Sequence, residues 1–398
     1  MPCLNDCSQV GICSFNDTCI CSPCYTGNSC EINTNVIQFS LTFTMQWDIR
    51  QASLHSNFNT PGIIYTTIIA LMLFMAVINN IVCLQTFLLQ DIRLTNCGML
   101  QIFYCISGLI AIVGMQLRML TMLIFDELIQ AYPYRYAACN IIPVIVILMG
   151  TVCMWLSSIL IIEFVLLECF NLSLYRSRRF SVISSIICLL LTIGTHMHEI
   201  IARHPLPDPM HPDSYSCTFA YPLPLDIIDK ILRVCHIIIP LGIQFIGSIC
   251  ILISITRRTL LVRDRYDYCQ VFISEFIKRK HFFVPQLFII LSNLPHLILH
   301  LKDPCEDAPD IPLLRIHVAF NILVYLPPSM TFFIYIFPSK SYMHKFEKTF
   351  LGRLFKRIFQ RNKEKKPYEW NQLIMIYRTK FITLVSHTKQ TIKTNILC

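Results

Sequence analysis

Seven stretches of this chain, 61–89, 98–125, 140–167, 180–202, 234–255, 282–301 and 313–337, are each apolar for long enough to cross a lipid bilayer. A helix rises about 1.5 Å per residue, so roughly 20 mostly apolar residues cover a hydrocarbon core of about 30 Å. Composition agrees. With 54% hydrophobic and 14% charged residues and a mean hydropathy of +0.55, a soluble globular class is excluded. Backbone polar groups in lipid must be paired internally, and these runs are continuous rather than alternating, which favours helices over barrel strands. The expected fold is an all-α membrane protein, a seven-transmembrane helix bundle over 61–338, with an odd number of crossings and therefore termini on opposite faces.

The placement of charge sets an orientation. The net charge of +9 is not spread along the chain: 25 of the 33 Lys and Arg residues fall in 90–97, 170–180, 257–280 and the tail after 338. Basic residues accumulate on the cytoplasmic side, so the amino terminus is expected outside and the tail inside. The same distribution argues against nucleic acid as a partner and for the lipid bilayer.

Residues 1–33 carry Cys3, Cys7, Cys13, Cys19, Cys21 and Cys30 in the pattern C-x3-C-x5-C-x5-C-x-C-x8-C, with Tyr25-Thr26-Gly27 before the last. Six cysteines allow fifteen connectivities. So short a segment cannot bury a sufficient core and needs crosslinks, which persist in an oxidising compartment. A zinc site is the rival reading, though paired C-x2-C spacing is mostly absent. The pattern closely resembles an EGF-like domain. That resemblance implies the pairs Cys3–Cys13, Cys7–Cys19 and Cys21–Cys30. Cys24 stands where the family usually has glycine, and is expected either as a free thiol or bonded to Cys305 or another chain. No acidic run precedes Cys3, so no Ca²⁺ is expected. Asn16-Asp17-Thr18 is a glycosylation sequon on the lumenal side, whereas Asn171-Leu172-Ser173 lies inside. The chain opens Met1-Pro2-Cys3 without a charged and apolar leader, and a longer native amino terminus is expected. Residues 34–60 read as a polar extracellular linker.

Several positions within the spans carry a second resemblance. Cys139 opens the third span and Cys217 sits in the long loop after the fourth. Glu163 lies 24 residues beyond Cys139, about 36 Å along a helix. Asn80 follows Asn79 in the first span, and Pro240, Pro295 and Pro328 interrupt the fifth, sixth and seventh. In order and position these resemble the rhodopsin-like G-protein-coupled receptors. The resemblance implies a Cys139–Cys217 disulfide over the outer end, helix kinks at the three prolines, and a coupling surface of Glu163, Arg176, Arg178, Arg179, Arg257, Arg258, Lys278, Arg279 and Lys280. The family's D/E-R-Y appears here as Glu163-Phe164-Val165, its C-W-x-P as Ser292-Asn293-Leu294-Pro295, and its N-P-x-x-Y as Pro327-Pro328-Ser329-Met330-Thr331. The chain therefore resembles a divergent member. The prolines also have a mechanical reading, since each removes a backbone hydrogen bond, and kinked spans occur in transporters too.

Beyond the seventh span, the cytoplasmic part at 339–398 begins with a basic amphipathic helix over 341–360, suited to an anionic inner leaflet and similar to the receptors' short eighth helix. The terminal Cys398 fits no prenylation signal. The function implied is a multi-pass plasma-membrane receptor that senses an unidentified extracellular ligand and acts on a heterotrimeric G protein, with no enzymatic activity and no cofactor. Two alternatives remain in view. His196-Met197-His198-Glu199, with His236 and His296, invites comparison with intramembrane zinc hydrolases, although no H-x3-H or H-E-x-x-H spacing is present. The cysteine-rich module also suits a non-signalling adhesion protein.

Overall fold

Continuous apolar sequence leaves the backbone no partner in lipid except itself, and the chain is helical at nearly every described position. The structure, a computed structural model, describes residues 11–13, 19–21, 25–26, 30, 32–33, 41, 44–45, 48–49, 52, 60–121, 134, 136–170, 178–207, 215–219, 223–262, 268–301 and 311–365. In chain order the helices are α1 Thr60–Phe87, α2 Gln90–Arg93, α3 Asn96–Leu120, α4 Ile142–Phe170, α5 Arg178–Ala202, α6 Leu223–Val262, α7 Tyr268–Lys278, α8 Lys280–Leu301, α9 Ile311–Leu323, α10 Leu326–Ser329, α11 Lys340–Phe346 and α12 Phe350–Lys365, with π-helical turns at Ala137–Ile141 and Phe332–Ile336. Six of them, α1, α3, α4, α5, α6 and α8, contain segments long and apolar enough to cross a membrane. Large side chains such as Ile63, Leu71, Phe74, Leu190, Leu191, Phe245 and Ile246 are exposed on their outward faces. That surface suits lipid and not water, so the protein is a membrane-embedded helical bundle.

Span α3 is the most enclosed and packs against α1, α4 and α5, whereas α1 and α5 keep most of their surface outward. Thr95 caps α3 by accepting the Gly98 N–H at 3.1 Å. One apolar core joins Phe87, Leu100, Tyr104, Leu156, Tyr335 and Phe346. A second, towards the amino-terminal end of the bundle, joins Tyr65, Ile69, Met115, Val146, Val318 and Ile322. A third gathers Ile251, Ile255 and Phe283 where α6 meets α8.

The stretch expected as a single seventh span is broken into α9, α10 and the π-helical turn. Pro327 and Pro328 supply no N–H, so the helical ladder cannot run through them. The break is docked on α1: the Asn80 amide donates to the Pro328 carbonyl and the Asn79 amide to the Ser329 carbonyl, both at 2.9 Å. Thr331 completes it by donating to Asn80 Oδ1 at 3.2 Å.

Two other segments depart from expectation. The amphipathic stretch over 341–360 is two helices, because Thr349 starts a new one by accepting the Gly352 N–H at 3.1 Å. The fifth apolar run extends well beyond 234–255 in both directions to fill α6. Three short antiparallel pairs complete the described residues: β1 Gly11–Cys13 with β2 Cys19–Cys21, β3 Tyr25–Thr26 with β4 Ile32–Asn33, and β5 Arg203–Pro207 with β6 Tyr215–Phe219.

Candidate functional site: a buried polar cluster between α5 and α6

Helix α5 ends in His196, His198, Glu199 and, one turn further at the start of β5, Arg203. Positions 196, 199 and 203 fall on one face, spaced i, i+3 and i+7. All three are nearly solvent-free, with Glu199 fully buried. His196 Nδ1 lies 2.9 Å from Glu199 Oε1, and Arg203 Nη2 donates to Glu199 Oε2 at 2.8 Å. The long α6 brings a complementary set. Arg233 sits 2.8 Å from Asp229 Oδ2 and 3.8 Å from Glu199 Oε1, and His198 Nε2 lies 2.7 Å from Asp229 Oδ1. Two carboxylates and two guanidinium groups thus interlock across the helix boundary with no net charge.

Such an arrangement is costly to assemble and costlier to break. An ion taken from water loses several kcal/mol of solvation, which only a close partner offsets. Below it, the rings of His196 and His236 stack at 5.1 Å. The Trp155 indole N–H donates to His236 Nδ1 at 3.0 Å, and His236 Nε2 lies 2.9 Å from Thr195 Oγ1. Nδ1 is therefore the acceptor nitrogen and Nε2 carries the proton in a neutral ring. With both ring nitrogens engaged, His236 does not complete a metal shell, and no group of three or more metal-ligating side chains converges among the described residues. The cluster is a charge network tying three helices: α4 through Trp155, α5, and α6.

Of these residues, sequence reasoning singled out His196, His198, Glu199 and His236, which the fold brings together. His296, on α8, is half-buried. Asp229, Arg233, Arg203 and Trp155 were missed. The available signal was the i, i+4 spacing of Asp229 with Arg233 and of Glu199 with Arg203, which marks pairs able to close on one helical face.

The opposite end of the bundle holds the residues expected to form a coupling surface. Glu163 is not on it. It is buried, with Cys97 Sγ donating to Oε2 at 3.8 Å, because α3 begins directly over it. Phe164 meets Phe282 of α8 edge to face, with ring centres 4.6 Å apart. One turn on, Glu168 of α4 takes Arg279 at 3.1 Å and Arg258 of α6 at 3.8 Å. Glu275 pairs with Lys278 at 2.7 Å and with Arg279 at 3.8 Å. Arg179, Arg257 and Lys280 are exposed. Arg176 lies outside the described residues, as does the side chain of Arg178.

Near the same end, Asp91 and Lys345 join α2 to α11. The hydrogen bond from Lys345, reinforced by its charge, holds the Asp91 carboxyl below its ordinary value.

Cys19, Cys30, Cys139 and Cys269 are disulfide-bonded. Cys3, Cys7, Cys24, Cys305 and the sequon at Asn16 lie outside the described residues, as do the side chains of Cys13, Cys21 and Cys217. Pro240 and Pro295 sit inside α6 and α8, and Pro328 lies in the broken segment. The linker expected over 34–60 is not merely a tether: its described positions Leu41, Thr44, Met45, Asp48, Ile49 and Ala52 are helical, and Thr44, Met45, Asp48 and Ile49 are buried.

No protein-family model matches this chain, and no curated protein matches it.

Proposed function

We propose that this protein is a cell-surface receptor: a seven-transmembrane helix bundle with a small EGF-like module outside and a basic tail in the cytosol, signalling through a heterotrimeric G protein. The proline-broken segment 311–336 is the seventh crossing in this reading, running from the amino-terminal end of the bundle to its opposite end. Two short hairpins with disulfide-bonded Cys19 and Cys30 suit the cysteine-rich module.

The observation that carries the reading is Glu168, which ties the ends of α4, α6 and the α7–α8 junction through Arg258 and Arg279 at the end where basic residues collect. Partly exposed ion pairs contribute about 0–1 kcal/mol, so they break and reform as helices shift. A ligand that favours one arrangement at the outer end then changes which groups face the cytosol, as linkage requires. Phe164 stands where the receptor family has arginine, and its edge contact with Phe282 gives α4 and α8 an uncharged junction.

G-protein activation in cells expressing the chain tests this reading. The expectation is activity above that of mock cells, altered by Phe164→Arg. Silence of both proteins at verified surface expression would overturn it.

A further inference from the structure

The stretch before α1 holds an amphipathic element in an unexpected place. Its described helical positions, 41, 44, 45, 48, 49 and 52, follow the i, i+3, i+4, i+7, i+8, i+11 series of a single face. Thr44 and Met45 are solvent-free, Asp48 is 1% exposed and Ile49 8%. Met45 and Ile49, with Leu41 beside them, belong to the apolar cluster of Tyr65 and Ile69 from α1, Ala111, Met115 and Met119 from α3, Val146 from α4, and Val318 and Ile322 from α9. One short segment therefore seats itself among four helices at the amino-terminal end of the bundle.

It also brings a charge with it. The Tyr65 hydroxyl donates to Asp48 Oδ2 at 2.6 Å, and Arg315 Nε reaches both carboxylate oxygens at 3.3 and 3.4 Å. A buried carboxylate is costly unless partners meet it, and a plain spacer has no need of one. Here the bundle supplies a donor from α1 and a cation from α9. An apolar face plus one anchored anion is how a bound peptide is held, except that this one is covalently attached.

We propose that the helical positions Leu41, Thr44, Met45, Asp48, Ile49 and Ala52 belong to a built-in ligand of the bundle, which occupies the receptor's outer end through Met45, Ile49 and the Asp48 carboxylate. The proposal rests on the receptor reading above and names its ligand class, a helical peptide with an apolar face and a single carboxylate. Seven residues separate the segment from β4, a reach of at most about 28 Å. A partner that engages the cysteine-rich module therefore pulls on this segment directly, and its withdrawal opens the contacts of Tyr65 and Arg315.

The test uses the full chain and does not depend on signalling. In intact cells, Met45→Cys is exposed to a membrane-impermeant maleimide, with the parent chain as background and Pro312→Cys as an exposed control. Protection by burial predicts labelling slower by at least about tenfold than the control, and acceleration when Asp48→Ala is added. In detergent, a fluorescent synthetic peptide of residues 38–54 is expected to bind Met45→Asp/Ile49→Asp and not the parent, whose site is filled. Labelling of Met45→Cys as fast as Pro312→Cys overturns the proposal. So does failure of the peptide to bind a variant that elutes as a folded monomer. Should that variant not fold, the labelling experiment decides alone. A protected Met45 in a chain that activates no G protein would sink only the receptor reading.

Discussion

Trp155 on α4 donates its indole N–H to Nδ1 of His236 on α6 across 3.0 Å, with the two rings edge to face at 6.1 Å. That bond fixes which imidazole nitrogen carries the proton, leaves Nε2 to Thr195 on α5, and sets the ring against His196. Three helices are thus aligned through one uncharged ring.

Removing the indole donor is expected to strand Nδ1. A deprived acceptor costs about 1–3 kcal/mol, with the lower part of that range apt here because Trp155 is only half-buried. Trp155→Phe should lower the thermal midpoint of the purified protein, and His236→Phe should do the same. The double variant should lose less than the sum of the two, since neither partner is then orphaned. Strict additivity in a thermal-shift assay would show that the bond contributes nothing.

Glu199 governs a larger effect. Glu199→Gln leaves the buried Arg203 beside a neutral amide and takes from Arg233 the second of its two carboxylates. Breaking one side of a buried pair costs about 3–5 kcal/mol, whereas replacing both sides by apolar groups is often neutral. Surface expression is expected to collapse in Glu199→Gln and to recover in part in Glu199→Leu/Arg203→Met. Flow cytometry of tagged cells reads both outcomes.

Much of this molecule was legible because a long apolar run admits few structures. The six spans follow from length and hydropathy, and five lie close to the expected bounds. The sixth, α6, was cut short for a physical reason: Asp229, Lys230 and Arg233 depress local hydropathy and resemble a loop, yet Asp229 and Arg233 pair along the helix and with α5. Pattern alone does not show that a charge has a partner in another element. The same blindness hid Asp48, whose partners, Tyr65 and Arg315, are 17 and 267 positions away. The proline pair in 313–337 was visible, but that it would divide the segment depended on Asn79 and Asn80 receiving the break.

Asp91 offers a pH dependence with a definite sign. Lys345 lowers its folded-state value, so the contact contributes stability above the ordinary carboxyl range and loses it as pH falls through the folded value. The midpoint difference between the parent and Asp91→Asn is expected to be present at neutral pH and to close below roughly pH 4. Asp91 is exposed, so high salt should shrink the difference at every pH. A gap that widens on acidification contradicts the assignment.

Two glycines carry opposite expectations and test the packing of the broken segment. A Cβ on Gly108 of α3 would stand 2.7 Å from Cβ of Pro328, closer than two carbons tolerate, while a Cβ on Gly194 of α5 meets nothing within 4 Å. Pro328 has little room to yield, because its carbonyl is held by Asn80 and the proline ring fixes its backbone. Overpacking of this kind costs about 1–3 kcal/mol. Gly108→Ala should therefore destabilise the purified protein, and Gly194→Ala should leave it unchanged or raise its midpoint, since alanine is the better helix former by about 1 kcal/mol. The packing of α10 against α3 fails this test if Gly108→Ala is as stable as Gly194→Ala.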